Sequence, residues 1–168
     1  EVGQPGKERR KGSELEISYD GRRWFSSLSW SRIDGRMTNA VAGTDYALYG
    51  VPGDTLSVSV GLRGLDGRLE GGVRMRDIAD RQAVTGTVAT VCSRPGNLVV
   101  PGVGVIGTQY GVRLFELFAS WQITADTLLR VNVDNLTNET WCMQDGFAGA
   151  VGVQAPGRAL RTSITMRF

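Results

Sequence analysis

Seven stretches of this chain alternate apolar and polar residues with a period of two, and no long apolar run interrupts them. That period belongs to an extended strand with one face toward an apolar phase and the other toward water. In residues 13–20, Leu15, Ile17 and Tyr19 oppose Glu14, Glu16, Ser18 and Asp20. In 23–33, Trp24, Leu28 and Trp30 oppose Ser27, Ser29 and Ser31. In 55–63, Leu56, Val58, Val60 and Leu62 oppose Thr55, Ser57, Ser59 and Arg63. Residues 68–76, 112–123, 128–135 and 158–168 repeat the pattern, the last ending at Phe168.

The links between these stretches separate a soluble sandwich from a membrane barrel. Asp20-Gly21, Asp66-Gly67 and Thr124-Ala125-Asp126 are tight turns, whereas 34–54, 78–111 and 136–157 are long. Short and long links alternate without exception. An outer-membrane barrel has this asymmetry, with short periplasmic turns and long extracellular loops. No run reaches the roughly 18–20 apolar residues that a membrane helix requires. The 23 glycines, with frequent Ser, Thr and Val, favour strands and turns.

The polar faces carry Glu70, Arg74, Glu116, Arg130, Asp134 and Arg161, with Glu14, Glu16, Arg63, Arg76 and Arg167. A small barrel fills its interior with packed side chains. So many long charges predict a wide, wet lumen lined by a polar network. Tyr19, Trp24, Trp121 and Phe168 fall at the turn end of the apolar faces, and Trp30 and Phe115 lie six residues further up. Six residues span roughly 20 Å along a strand. This spacing predicts two interfacial aromatic girdles, although core aromatics share the same composition. The basic run Lys7-Glu8-Arg9-Arg10-Lys11 is expected in a solvated loop. A net charge of +2 does not point to nucleic acid.

The C-terminal third carries a family resemblance. The stretch 128–138 reads LLRVNVDNLTN, a valine-containing strand running into the corner Asn135-Leu136-Thr137-Asn138. A long link follows, then Pro156-Gly157-Arg158 and an alternating strand closing on Phe168. In this order the features resemble the last strands of TonB-dependent outer-membrane receptors. Gly12-Ser13-Glu14-Leu15-Glu16, Val51-Pro52-Gly53 and LFELFASW at 114–121 resemble strand entries of the same barrels, closest to the haem and haemoglobin receptor branch.

The resemblance implies an all-β transmembrane antiparallel barrel in the bacterial outer membrane. Residues 1–168 would form about seven C-terminal strands of a 22-stranded barrel. The plug domain, the TonB box and the earlier strands would lie outside them, and residues 1–11 would be extracellular. It implies active uptake of a scarce bulky ligand, haem or a ferric siderophore, driven by the TonB energy-coupling complex, with outer-membrane lipid around the wall. A haem-carrying protein or a siderophore would be the partner outside. The loop aromatics Tyr46, Tyr49, Tyr110, Trp141 and Phe147, with Met143, are the candidate ligand contacts. The same residues also serve to order their own loops. The chain has no His, so a haem axial ligand within it would be Tyr or Met.

Cys92 and Cys142 both fall in long links, where an oxidising surface permits a disulfide. Each is also open to pairing elsewhere. The sequons at Asn135 and Asn138 are better read as backbone-bonding asparagines at a corner. No nucleophile–base pair, metal cluster or phosphate loop is present in the sequence, so no enzyme activity is expected. A passive porin-like barrel and a secreted all-β binding module are the competing readings.

Overall fold

The computed structural model describes residues 6–39, 44–47, 53–85, 87–100, 104–142 and 154–168. Seven long strands build one antiparallel wall: β1 (Gly6–Asp20), β2 (Trp24–Asn39), β4 (Thr55–Gly64), β5 (Leu69–Ile78), β9 (Val112–Thr124), β10 (Thr127–Asp134) and β11 (Ala159–Met166). Their spatial order follows their chain order, with β3 (Thr44–Ala47) paired to the upper end of β2. The wall does not close, and β1 and β11 are its edges.

The alternation of sequence becomes an alternation of exposure. On β9, Phe115, Leu117, Ala119, Trp121 and Ile123 are exposed, while Glu116, Phe118, Ser120 and Gln122 are half-buried. Apolar side chains thus cover the open, outward side, and polar ones line the sheltered inward side. A water-soluble sheet would hide the apolar side instead. Among the described residues, Leu15, Ile17, Val60, Leu62, Val73, Leu160 and Ile164 are also exposed on it. An apolar face this extensive is stable only against lipid or another apolar surface.

Two departures from the sequence reading concern length. β1 begins at Gly6, so Lys7 to Lys11 pair with Thr38 to Asp34 as strand and not as loop. The backbone ladder continues past the apolar band because, beyond it, side chains need only water. The second departure lies in the links. The link 78–111 holds β6 (Arg81–Thr85), β7 (Ser93–Val100) and β8 (Gly104–Gln109), a separate sheet in the order β6–β8–β7. Pro95 and Gly96 interrupt its alternation, and the β7–β8 register shifts between Arg94 and Leu98. Those irregularities erase the period-two signal that marks the wall.

Among the described residues, the small sheet holds three of the seven buried apolar residues, Ala83, Val100 and Ile106. Val100 and Ile106 form its core, with Met37 of β2 packed against it. Cys92 and Cys142 are joined by a disulfide with Cα atoms 5.5 Å apart, which ties this sheet to the link before β11.

Candidate functional site

The inward face of the wall is a band of ion pairs. Arg63 donates to Asp20 and to Gly21 O at 2.7 Å, and lies 3.4 Å from Glu70. Ser120 Oγ donates to Glu70 Oε1 at 3.2 Å. Glu116 receives Arg74 at 3.2 Å and Arg76 at 3.7 Å, and Arg161 binds Asp134. Arg130 shares this face, opposite Ser120 and Ser163, with no ion pair among the described residues. Arg74, Glu116, Phe118, Asn132, Asp134 and Arg161 border an open trough of about 880 Å³. The arrangement presents largely paired charges to water.

Two aromatics also face inward, which the sequence reading did not single out. Phe25 lies opposite Gly61, Gly61 opposite Gly72, and Gly72 opposite Phe118. The two rings lean over the glycines to a centroid separation of 6.1 Å. A Cβ on Gly61 would meet the Phe25 ring at 2.2 Å, and one on Gly72 would meet Val60 O at 2.2 Å. Arg63 and Arg74 stack over Phe25 and Phe118 at 4.8 and 5.7 Å. Ring-over-glycine packing restores the side-chain cover that glycine lacks in a strand. The signal was present in the sequence as glycines at matching positions of paired strands, but it needs the register to be read.

On the outward side, Tyr19 and Trp24 stack at 4.3 Å beside the first tight turn. Trp121 is exposed on the same side near the third turn. Phe168 is exposed too, beyond Arg167, whose amide bonds Asp126 O at 3.0 Å. The four residues therefore sit at one end of the wall, at the tight-turn rim.

At the opposite end a cleft of about 160 Å³ opens between wall and small sheet, lined by Ile78, Arg81, Gln109, Tyr110, Trp141 and Cys142. Burial lowers the Arg81 guanidinium pKa below its ordinary value. Gln109 Oε1 accepts from its Nε at 2.9 Å. Tyr110 and Trp141 are thus brought together. Tyr46 is placed in β3 by its backbone, and Tyr49, Met143 and Phe147 lie outside the described residues.

The family described as TonB dependent receptor-like, beta-barrel, matches residues 2–136. The chain belongs to that family. It is a wall segment of a bacterial outer-membrane receptor barrel, and its sheet is not closed within these residues. No curated protein sequence matches it. Solved structures that resemble it share the fold. The copper transporter OprC is 21% identical with a TM-score of 0.70, over 96% of this chain and 24% of that one. The FrpB iron transporter from Neisseria meningitidis (F3-3 variant) is 20% identical with a TM-score of 0.71, over 97% and 24%. The ferripyoverdine receptor of the outer membrane of Pseudomonas aeruginosa is 21% identical with a TM-score of 0.63, over 95% and 19%. The chain therefore spans about a quarter or less of the length of these structures.

Within this receptor wall the corner motif works as a latch. Asn135 is buried with a positive φ of 49°, and its side chain bonds Glu139 O and Glu139 N, each at 2.8 Å. Leu136 N reaches across to Phe115 O at 2.7 Å. Asn138 Oδ1 accepts from Arg158 N at 2.9 Å, joining the corner to the Pro156-Gly157-Arg158 entry. A Cβ on Gly157 would stand 2.7 Å from that same Oδ1. The two sequence motifs, separated by a long link, are two halves of one hydrogen-bonded junction.

Proposed function

We propose that this chain is the C-terminal wall of a TonB-dependent receptor that takes up a metal carried by its own organic chelator, of the ferric siderophore class. The observation that carries the reading is the pairing of two surfaces on one sheet. An outward apolar face suits lipid, and an inward face of largely paired charges suits a wide aqueous passage. Above it stands a disulfide-tied platform with Tyr110 and Trp141 at its cleft. Aromatic side chains outside and largely paired charges on the inward wall favour a bulky organic ligand that binds briefly and passes. The similar structures include an iron transporter, a copper transporter and a ferripyoverdine receptor. The chain holds no His, so it offers no imidazole to a metal or to haem. Plug and TonB contact would be supplied by the rest of the receptor.

The test is growth of an iron-starved strain stripped of its own receptors and given the full-length gene. Ferric hydroxamate and catecholate chelates, haem and copper are supplied in turn, with and without functional TonB. Growth on a ferric chelate that is lost without TonB is expected. TonB-independent uptake would make the barrel a passive pore, and growth on haem alone would replace the siderophore class with haem.

A further inference from the structure

The upper ends of β1 and β2 carry a face for which ligand uptake has no use. Directly paired residues of an antiparallel ladder share a face. Leu15 opposite Trp30 and Ile17 opposite Leu28 therefore mark the lipid side of this hairpin. Further up that side come Ser13 opposite Arg32, Lys11 opposite Asp34, Arg9 opposite Arg36 and Lys7 opposite Thr38. The lipid side thus ends in five cations and one carboxylate. The inward side of the same extension is neutral, since Glu8 pairs with Arg10 and the other inward positions include Gly12 and Gly35.

Height places these cations at a membrane surface. Lys11 lies eight residues above Tyr19, and Arg32 eight above Trp24. Eight residues span roughly 26 Å of strand, or about 20 Å of height at the usual barrel tilt, against an apolar band about 25 Å tall. Lys11 and Arg32 sit at the upper margin of that band, and Arg9, Arg36 and Lys7 step beyond it. Among the described residues these charges are only partly balanced, with Asp45 of β3 paired to Thr38 on the same side. Arg32 reaches Asp54 at 3.7 Å and Arg36 reaches Asp34 at 3.6 Å, both in exposed pairs. Lys7, Arg9 and Lys11 form no ion pair among the described residues. Arg9 faces Arg36 directly, and like charges in that position repel unless an anion lies between them. At the corresponding height on β5 and β9 the outward side carries Asp77 and Arg113, self-neutralised at 2.8 Å. Compared with that pair, the β1–β2 hairpin carries an excess of cations among the described residues.

We propose that this face binds the phosphate-bearing headgroup of an anionic lipid of the outer leaflet. Arg9, Lys11 and Arg36 grip the phosphate, and Leu15, Ile17 and Trp30 below them take the acyl chains. The guanidinium fork matches phosphate oxygens, and a basic cluster directly above apolar surface satisfies both halves of such a lipid. The assignment rests on the membrane orientation of the wall and holds whatever ligand the receptor carries.

The full-length receptor, delipidated in dodecyl maltoside, is titrated with bisphosphorylated lipid A, with its dephosphorylated form and with phosphatidylcholine, and bound lipid is counted by native mass spectrometry. The bisphosphorylated lipid should be retained at least about tenfold more strongly than the other two, less so at high salt. Each cation near an anionic surface contributes roughly a fivefold factor. Arg9→Gln combined with Lys11→Gln should therefore weaken retention about twenty-five-fold, while Arg10→Gln on the inward side leaves it unchanged. Equal retention of phosphorylated and dephosphorylated lipid overturns the proposal. So does a double variant that binds as well as the parent. Displacement by an equal concentration of inorganic phosphate would show that the lipid is not the source of the anion. Should the double variant fail to assemble, the comparison of the lipids on the parent protein decides alone.

Discussion

The wall and the small sheet above it solve opposite problems with the same secondary structure. Among the described residues, Leu114 is the buried apolar residue of the wall, whereas Ala83, Cys92, Val100, Ile106, Cys142 and Ala155 lie in the excursions. The small sheet stands in water, so it hides its apolar groups and is tied by a disulfide. The wall stands in lipid, so it shows its apolar groups and hides its backbone in a continuous ladder. Burial therefore reports on the solvent each region meets and not on how well either is built.

The largest effect that would sharpen this contrast is removal of the disulfide. Cys92 and Cys142 are separated by 50 residues, and loop-closure entropy for such a span is about 4 kcal/mol. Cys92→Ser with Cys142→Ser should speed amide exchange in β6, β7 and β8 while the wall amides keep their protection. A parallel loss in the wall would mean that the two regions unfold as one.

Next comes the same substitution at two exposed valines. Val60 is 45% exposed on the wall and Val99 is 67% exposed on the small sheet. Val60→Arg should destabilise the full-length receptor in vesicles by roughly 2–4 kcal/mol, as a charge does deep in a barrel's lipid face. Val99→Arg should stay within about 0.5 kcal/mol, as surface changes do in water. Urea midpoints measure both, and equal shifts would break the distinction between the two solvents.

A smaller effect is expected at the inward glycines. Gly72→Ala places a methyl against Val60 O and the Phe118 ring. A cost of roughly 1–3 kcal/mol follows from overpacking, and Phe118→Ala in the same chain should recover part of it. The smallest effect belongs to the lumenal ion pairs. Arg74 is 44% exposed beside Glu116, so Arg74→Ala should cost under about 1 kcal/mol in the same urea titration.

Much of the wall was legible before any coordinates, because a strand between lipid and water writes its environment into every second residue. The inward set Glu70, Arg74, Glu116, Asp134 and Arg161 could be placed on one side by parity alone. Their partners could not, since Arg63 with Asp20 and Arg76 with Glu116 depend on register across strands. The links were read as loops because β7 and β8 interrupt their alternation with Pro95, Gly96 and Gly107. Of the six loop contacts expected for a ligand, Tyr110 and Trp141 meet at one cleft, and they come from links more than thirty residues apart.

By itself the sequence determined that this chain is a sheet with one oily side and one wet side, entered and left through alternating short and long links. Period-two patterning and turn chemistry are local, and local information is complete within a few residues. Only the tertiary structure decided what crosses from strand to strand: the rings folded over Gly61 and Gly72, the latch from Asn138 to Arg158, and the cations of β1 stacked beside those of β2. Each depends on register, and register is fixed by the whole ladder of pairings together.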